Sequence, residues 1–309
     1  MTRILVAGGA GYLGSVLVHM LLVHGYSVTV LDNFMHGQSS LNHLCSFEKL
    51  KIIRGNAREI AVDPKFVKSF DILIPLAAIV GARACELDYQ ATYEINTRAV
   101  QILTALARPE QIIVYPNTNS GYGKSGEALC TEETPLKPIS NYGISKKEGE
   151  SFVLRHPHGV SLRFATLFGA SPRMRLDLMV NDFAYKAVRD RYLVIFEGAF
   201  RRNFLHVRDA AATFIFAIQH IEAMKGRAFN AGNSALNMTK LELAHQISAH
   251  TGCLVHEAPE GRVDPDQRDY IVSNARLEGL GWCPLYGLKE GIAELVRCFA
   301  QPFEGHRNA

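Results

Sequence analysis

The chain has 309 residues, 48% of them hydrophobic, enough to bury a large α/β core in one domain or two. Lys plus Arg (33) nearly balance Asp plus Glu (30), and a net charge of +3 dispersed along the chain excludes the electrostatic footprint of a nucleic-acid binder. Six scattered cysteines without a C-x-x-C pair give no disulfide framework or zinc site, and no apolar run is long enough for a signal-peptide core or a membrane span, so a soluble protein of a reducing cytoplasm is expected.

In chain order, short apolar runs at 3–7, 27–31, 51–54, 71–75, 111–115 and 159–163 alternate with helical stretches at 12–24, 89–107 and 141–155. That alternation predicts β-α-β units around a doubly wound parallel sheet, its Val, Ile and Leu strands covered on both faces. From about residue 166 the alternation weakens and arginine-bearing loops become frequent, while helical patterns return at 208–221, 240–250 and 288–299. The expected division is a Rossmann-like dinucleotide-binding domain over 1–165, with a return segment near 205–232, and a smaller, mainly substrate-binding α/β region over 166–309 whose end, 302–309, frays.

Between the first strand and first helix lies Gly8-Gly9-Ala10-Gly11-Tyr12-Leu13-Gly14, the context in which a glycine loop binds a dinucleotide. Backbone without side chains turns sharply there and approaches a pyrophosphate, whose charge meets the amides of the helix start. Asp32 ends the second strand, where a carboxylate accepts the adenosine ribose hydroxyls and repels a 2′-phosphate. No arginine follows directly; Asn33 does, so the expected cofactor is NAD. A glycine turn without a ligand, and a solvent-facing Asp32, are the bland alternatives.

Tyr142-Gly143-Ile144-Ser145-Lys146 sets a phenol and an ammonium one helical turn apart on one face. Thr118 precedes them, after the strand that ends at Tyr115. A solvated Tyr–Lys pair and a capping threonine would leave the same trace, but the order of cofactor loop, hydroxyl, phenol and ammonium resembles the extended short-chain dehydrogenase/reductase family, particularly its NAD-dependent nucleotide-sugar epimerases and dehydratases. The resemblance runs along nearly the whole chain, through Gly8, Gly11 and Gly14, Leu76-Ala77-Ala78, Asn96, Tyr122-Gly123, Tyr142 with Lys146, Phe204-Leu205-His206-Val207 and Leu280-Gly281-Trp282. It implies that Tyr142 is the base, that Lys146 holds the nicotinamide ribose and lowers the tyrosine pKa, and that Thr118 hydrogen-bonds the reacting oxygen, with Ser120 a poorer stand-in. It also implies cofactor contacts at Gly8, Gly11, Tyr12, Leu13, Asp32, Asn33, Asn56, Ala57, Leu76, Ala77 and Ala78, together with Tyr142 and Lys146.

The chain departs from the family pattern in three places. Asn56 replaces an aspartate that accepts the adenine amino group, Thr166 replaces an asparagine near the substrate diphosphate, and Asn119-Ser120 stand where dehydratases carry Asp-Glu. Without those acids, water elimination and decarboxylation are disfavoured, which leaves oxidation of a sugar hydroxyl as the common step. Tyr115–Gly123 together with Ser171–Leu178 resembles the GDP-manno-heptose 4-dehydrogenase branch, and a UDP-sugar 4-epimerase stays open beside it. Arg202 and Arg268 match the family's phosphate contacts, and Arg173 and Arg175 are further substrate candidates, because a guanidinium fork pairs with a diphosphate. The family implies a homodimer built on the helices at 89–107 and 141–155. A non-catalytic NAD sensor is the rival that fold alone would allow, and the histidines lack metal-ligand spacing.

Overall fold

The computed structural model describes residues 1–37, 39–259 and 269–301. Its strands are β1 (Arg3–Ala7), β2 (Ser27–Asp32), β3 (Leu50–Arg54), β4 (Ile72–Pro75), β5 (Ile112–Thr118), β6 (Lys124–Cys130), β7 (Gly159–Phe164), β8 (Thr166–Phe168), β9 (Tyr192–Ile195), β10 (Arg201–His206), β11 (Arg227–Ala231), β12 (Asn237–Thr239), β13 (Leu254–Glu257) and β14 (Asp269–Val272). Seven of them form one sheet in the order β11-β7-β5-β4-β1-β2-β3, every pairing parallel. Parallel neighbours need crossovers, and the helices that supply them cover both faces.

On one face lie α1 (Tyr12–Val23) and α5 (Val207–Gln219), and on the other α2 (Ala99–Leu106) and α3 (Asn141–Val153). The two-residue period of a strand divides β1 between them: Ile4 and Val6 join Leu17, Leu21 and Phe214, while Leu5 joins Leu103, Tyr115 and Val153. All these positions are buried, so the strands read as continuous apolar runs.

A second core unites α4 (Met179–Arg189), α6 (Lys240–Thr251) and α7 (Leu288–Ala300) around Val180, Ala184, Leu243, Ile247, Ile292 and Leu295. The remaining sheets are small: β12-β10-β8, β13-β9 and β14-β6, the last packed in a cluster of its own with Tyr122, Cys130, Tyr270 and Val272. Among the described residues no helix is long and apolar enough to cross a membrane.

The continuous helix expected over 89–107 is divided. A π-helical turn, Tyr93–Arg98, separates a short helix Tyr89–Thr92 from α2. The wider turn lets Asn96, 1% exposed, meet inward partners: its Oδ1 accepts from Ile79 N at 2.8 Å, and its Nδ2 donates to Ile79 O at 2.9 Å and to Ser145 Oγ at 3.1 Å. One side chain thereby ties the loop after β4 to α3.

Candidate active site

A cavity of about 770 Å³ opens at the carboxyl ends of β1, β2, β4 and β5, between the parallel sheet and the second core. Gly8, Gly11, Tyr12 and Leu13 line it from the first loop. Gly8 has φ +89°, and a Cβ there would lie 2.5 Å from Ala77 N; a Cβ on Gly14 would lie 2.5 Å from Gly8 O. These glycines permit the close passage of backbone that a dinucleotide loop needs. Gly11 precedes α1 without a side-chain cap, so the first amides of the helix are left for an anion.

Asp32 completes the loop. Its Oδ2 accepts from Ala10 N at 2.9 Å and its Oδ1 from Phe34 N at 2.8 Å, which fixes the carboxylate at the cavity edge with lone pairs remaining for ribose hydroxyls. The glycine cradle, uncapped helix start and anchored acid fit NAD. Asn33, Asn56 and Ala57 line the same end, and Leu76, Ala77 and Ala78 line the cavity after β4. The Asn56 oxygen is engaged by Arg58, through its backbone N at 3.0 Å and its Nε at 3.3 Å. Tyr12 lends its phenol to the scaffold instead, donating to Gly169 O at 2.7 Å.

Thr118, Tyr142 and Lys146 share this cavity. The Thr118 Oγ1 accepts from Ser120 N at 3.2 Å, which uses a lone pair and leaves the hydroxyl proton for a ligand oxygen. α3 starts at a Ser140 cap whose Oγ accepts from Gly143 N at 3.2 Å, so Tyr142 lies in the first turn and Lys146 in the second. The Lys146 ammonium lies 4.1 Å from the centre of the Tyr115 ring.

Lys146 is 4% exposed; burial pulls its pKa down from 10.5 to about 7, partly opposed by Cys85 and Glu150. Between those two values the unfolded chain holds this proton and the folded chain does not, so the cofactor-free protein gains stability as pH rises from about 7 to 10.5. The cost of burying the charge is complete below 7. Relative to Lys146→Met, the wild type is therefore expected to gain melting temperature between pH 7 and pH 10 by scanning calorimetry. Parallel curves for the two proteins would show that Lys146 titrates normally.

A buried network stands behind the triad. The Glu150 carboxylate accepts from Asn117 Nδ2 (2.6 Å), Ser161 Oγ (2.7 Å) and Arg163 Nε and Nη2 (3.0 and 2.7 Å). Burial works to raise the Glu150 pKa, but Arg163, Ser161 and Asn117 outweigh it and hold the pKa below the ordinary value. Asn117 Oδ1 in turn accepts from Thr118 N at 2.8 Å. Sequence reasoning passed over this support, since Asn117 and Glu150 are 33 residues apart.

Of the expected substrate contacts, Thr166, Arg173, Arg175 and Arg202 all line the cavity, and Arg268 lies outside the described residues. Arg175 pairs with Asp177, while Asn181 holds backbone, accepting from Gly169 N at 3.0 Å and donating to Arg175 O at 3.0 Å. Ser120 reaches the cavity; Asn119 is fully buried and does not line it. Lys240 and Glu197, unforeseen from sequence, pair at 2.7 Å and line the cavity beside Phe196. His206 is wholly buried, its Nδ1 accepting from Arg208 N at 3.2 Å at the head of α5. Among the described residues no group of three His, Cys, Asp or Glu could hold a metal ion.

Comparison with known proteins identifies relatives along the whole chain. The UDP-glucose 4-epimerase of Corynebacterium glutamicum is 26% identical over 305 residues, covering 91% of each chain. UDP-glucuronic acid decarboxylase 1 of Arabidopsis thaliana is 28% identical over 314 residues, 96% of this chain and 69% of the relative. The crystal structure of UDP-glucuronic acid 4-epimerase from Bacillus cereus, in complex with UDP-glucuronic acid and NAD, shares the fold with a TM-score of 0.85 at 22% identity, over 98% of this chain and 100% of that one. Residues 4–232 match the model of the NAD dependent epimerase/dehydratase family. The chain thus belongs to the NAD dependent epimerase/dehydratase family and is an enzyme whose cofactor is NAD.

Proposed function

We propose that the protein oxidises the C4 hydroxyl of a nucleotide-activated sugar. The observation that carries this reading is that Thr118, Tyr142 and Lys146 share one cavity with the glycine loop and Asp32. NAD, when bound, supplies the two-electron acceptor for the hydride that leaves the sugar carbon. Tyr142 removes the hydroxyl proton from the same carbon's oxygen, so that C–H and O–H bonds are exchanged for a C=O bond. Thr118 donates a hydrogen bond to that oxygen, keeps its own proton and holds the hydroxyl in line. Lys146 orients the nicotinamide ribose and, in its protonated form, lowers the cost of the Tyr142 phenolate. Asn56 meets the adenine, and Thr166, Arg175 and Arg202 meet the sugar nucleotide, with Arg268 as a further phosphate contact.

At position 120, where a dehydratase or decarboxylase acid would face the substrate, the cavity holds a serine hydroxyl. Its ordinary acidity is far too weak for elimination chemistry, which favours simple oxidation over loss of water or carbon dioxide. Residues 115–123 and 171–178 support a GDP-manno-heptose 4-dehydrogenase-like reaction. A UDP-sugar 4-epimerase is the second reading, favoured by the C. glutamicum relative.

Mass spectrometry after incubation with GDP-, UDP-, CDP- and dTDP-sugars tests both. Loss of two hydrogens is the expected product of a dehydrogenase, and unchanged mass with inverted C4 stereochemistry that of an epimerase. Loss of water would refute the argument from position 120, and NAD binding without turnover of any sugar would leave the sensor. A second copy of the chain is the occupant we assign to the helices at 89–107 and 141–155, where Tyr89, Tyr93 and Ile144 are exposed. Sedimentation at twice 34.2 kDa is expected, and a monomer at micromolar concentration would remove that assignment.

A further inference from the structure

Arg173 is 3% exposed and its Nε and Nη2 are buried without a hydrogen-bond partner, yet the residue lines the cavity. A guanidinium desolvated in this way costs stability until an anion reaches it. The neighbouring contacts indicate which anion. Ser171 Oγ donates to Tyr12 O at 2.7 Å and lies 3.1 Å from Ser15 Oγ, and Arg173 N bonds back to Ser171 Oγ at 3.3 Å. With the Tyr12 bond to Gly169 O, these contacts fasten the segment 169–173 onto the first turn of α1, whose uncapped amides already favour negative charge.

The electrostatic surroundings point the same way. Arg173 is repelled by Arg175 and attracted by Asp177 and Asp32. Arg175 and Asp177 are already committed to each other. Asp32 marks the adenosine end of the cavity. The segment that carries this guanidinium is fastened to the helix that follows the glycine loop, through Gly169 and Ser171, which puts it on the cofactor side of the cavity.

We propose that Arg173 clamps the diphosphate of NAD, opposite the amides of the glycine loop, so that the segment following β8 holds the cofactor in addition to the sugar nucleotide. This departs from the placing of Arg173 on the substrate diphosphate, and it rests on reading the cavity as a joint cofactor and sugar-nucleotide site. NAD then leaves only when the segment 169–173 lifts from α1.

The test compares wild-type and Arg173→Met protein, both stripped of nucleotide, by isothermal titration calorimetry at one ionic strength. The probes are NAD, ADP-ribose (the diphosphate without the nicotinamide), GDP and UDP. Loss of charged hydrogen bonds is expected to raise the Kd of NAD and of ADP-ribose about 10–100-fold, with GDP and UDP changed less than about 3-fold. Ligand-free Arg173→Met is expected to melt at or above the wild-type temperature, since a buried unpaired charge is gone.

Unchanged NAD and ADP-ribose affinity overturns the proposal. An equal or larger loss for GDP and UDP also overturns it and returns Arg173 to the substrate. A ligand-free variant that melts lower assigns Arg173 to the scaffold instead. Arg173→Lys, which keeps the charge and loses the fork, is read by the same affinity criteria if the methionine variant does not fold. Clamped NAD without oxidation of any sugar nucleotide would refute the proposed reaction and leave the role of Arg173 intact.

Discussion

Tyr142→Phe is expected to lower turnover about 10²–10⁴-fold, the contribution of a positioned proton acceptor, while NAD affinity stays near the wild-type value. The substitution removes one oxygen and leaves the ring. α3 keeps its Ser140 cap, and Lys146 keeps its place over Tyr115. In the proposed reaction, what is lost is the group that takes the hydroxyl proton as the hydride departs, so the loss belongs in kcat, with KM little changed. Steady-state rates and an NAD titration of the same preparation measure the two quantities. Near-normal turnover would remove Tyr142 from the mechanism, and a parallel loss of NAD binding would make it a cofactor contact only.

Glu150→Ala is expected to have the largest effect on folding, costing about 3–5 kcal/mol of unfolding free energy. The pair it breaks is buried, with side-chain exposures of 8% for Arg163 and 6% for Glu150. Removing the acid strands the guanidinium, which keeps only Tyr122 OH at 3.0 Å and Glu132 O at 3.1 Å. Asn117 and Ser161 lose their acceptor as well. Because Asn117 also accepts from Thr118 N, turnover is expected to fall in whatever fraction remains folded. Urea denaturation compares Glu150→Ala with the double variant Glu150→Ala/Arg163→Met. The double variant should be the more stable, since a buried lone charge costs more than an apolar replacement. If the single variant is as stable as wild type, the network carries no stability.

The parts of the site that sequence made legible are those in which chemistry follows from local spacing. Gly8, Gly11 and Gly14 lie within one loop, Asp32 closes the adjacent strand, and Tyr142 and Lys146 are one helical turn apart, so a strand–loop–helix pattern suffices to place them. The seven-stranded sheet is legible for the same reason, because its buried strands are apolar throughout. The second region resisted because β8 and β12 are three residues long and β9 and β13 four, too short for a period to register. Charged side chains were harder still. Arginine is mostly exposed, so nothing in Ser171-Pro172-Arg173 distinguishes a surface residue from one buried in the cavity wall. Lys240 opens a helix and Glu197 lies in the loop between β9 and β10, 43 residues earlier; only the folded chain makes them a pair. The π-helical turn was missed because Tyr93–Arg98 carries the composition of an ordinary helix, and the inward contacts of Asn96 that accompany it are tertiary.

The last strand of the main sheet has a consequence for how the molecule is made. β11 is contributed by residues 227–231, and α5, which covers α1, by residues 207–219. During synthesis the edge of β7 stays unpaired, and the apolar side of α1 stays uncovered, until more than two thirds of the chain has left the ribosome. The parallel sheet is complete in space but discontinuous in time: it cannot close before β8, β9 and β10 exist, which ties the maturation of the glycine-loop end of the cavity to that of the second core.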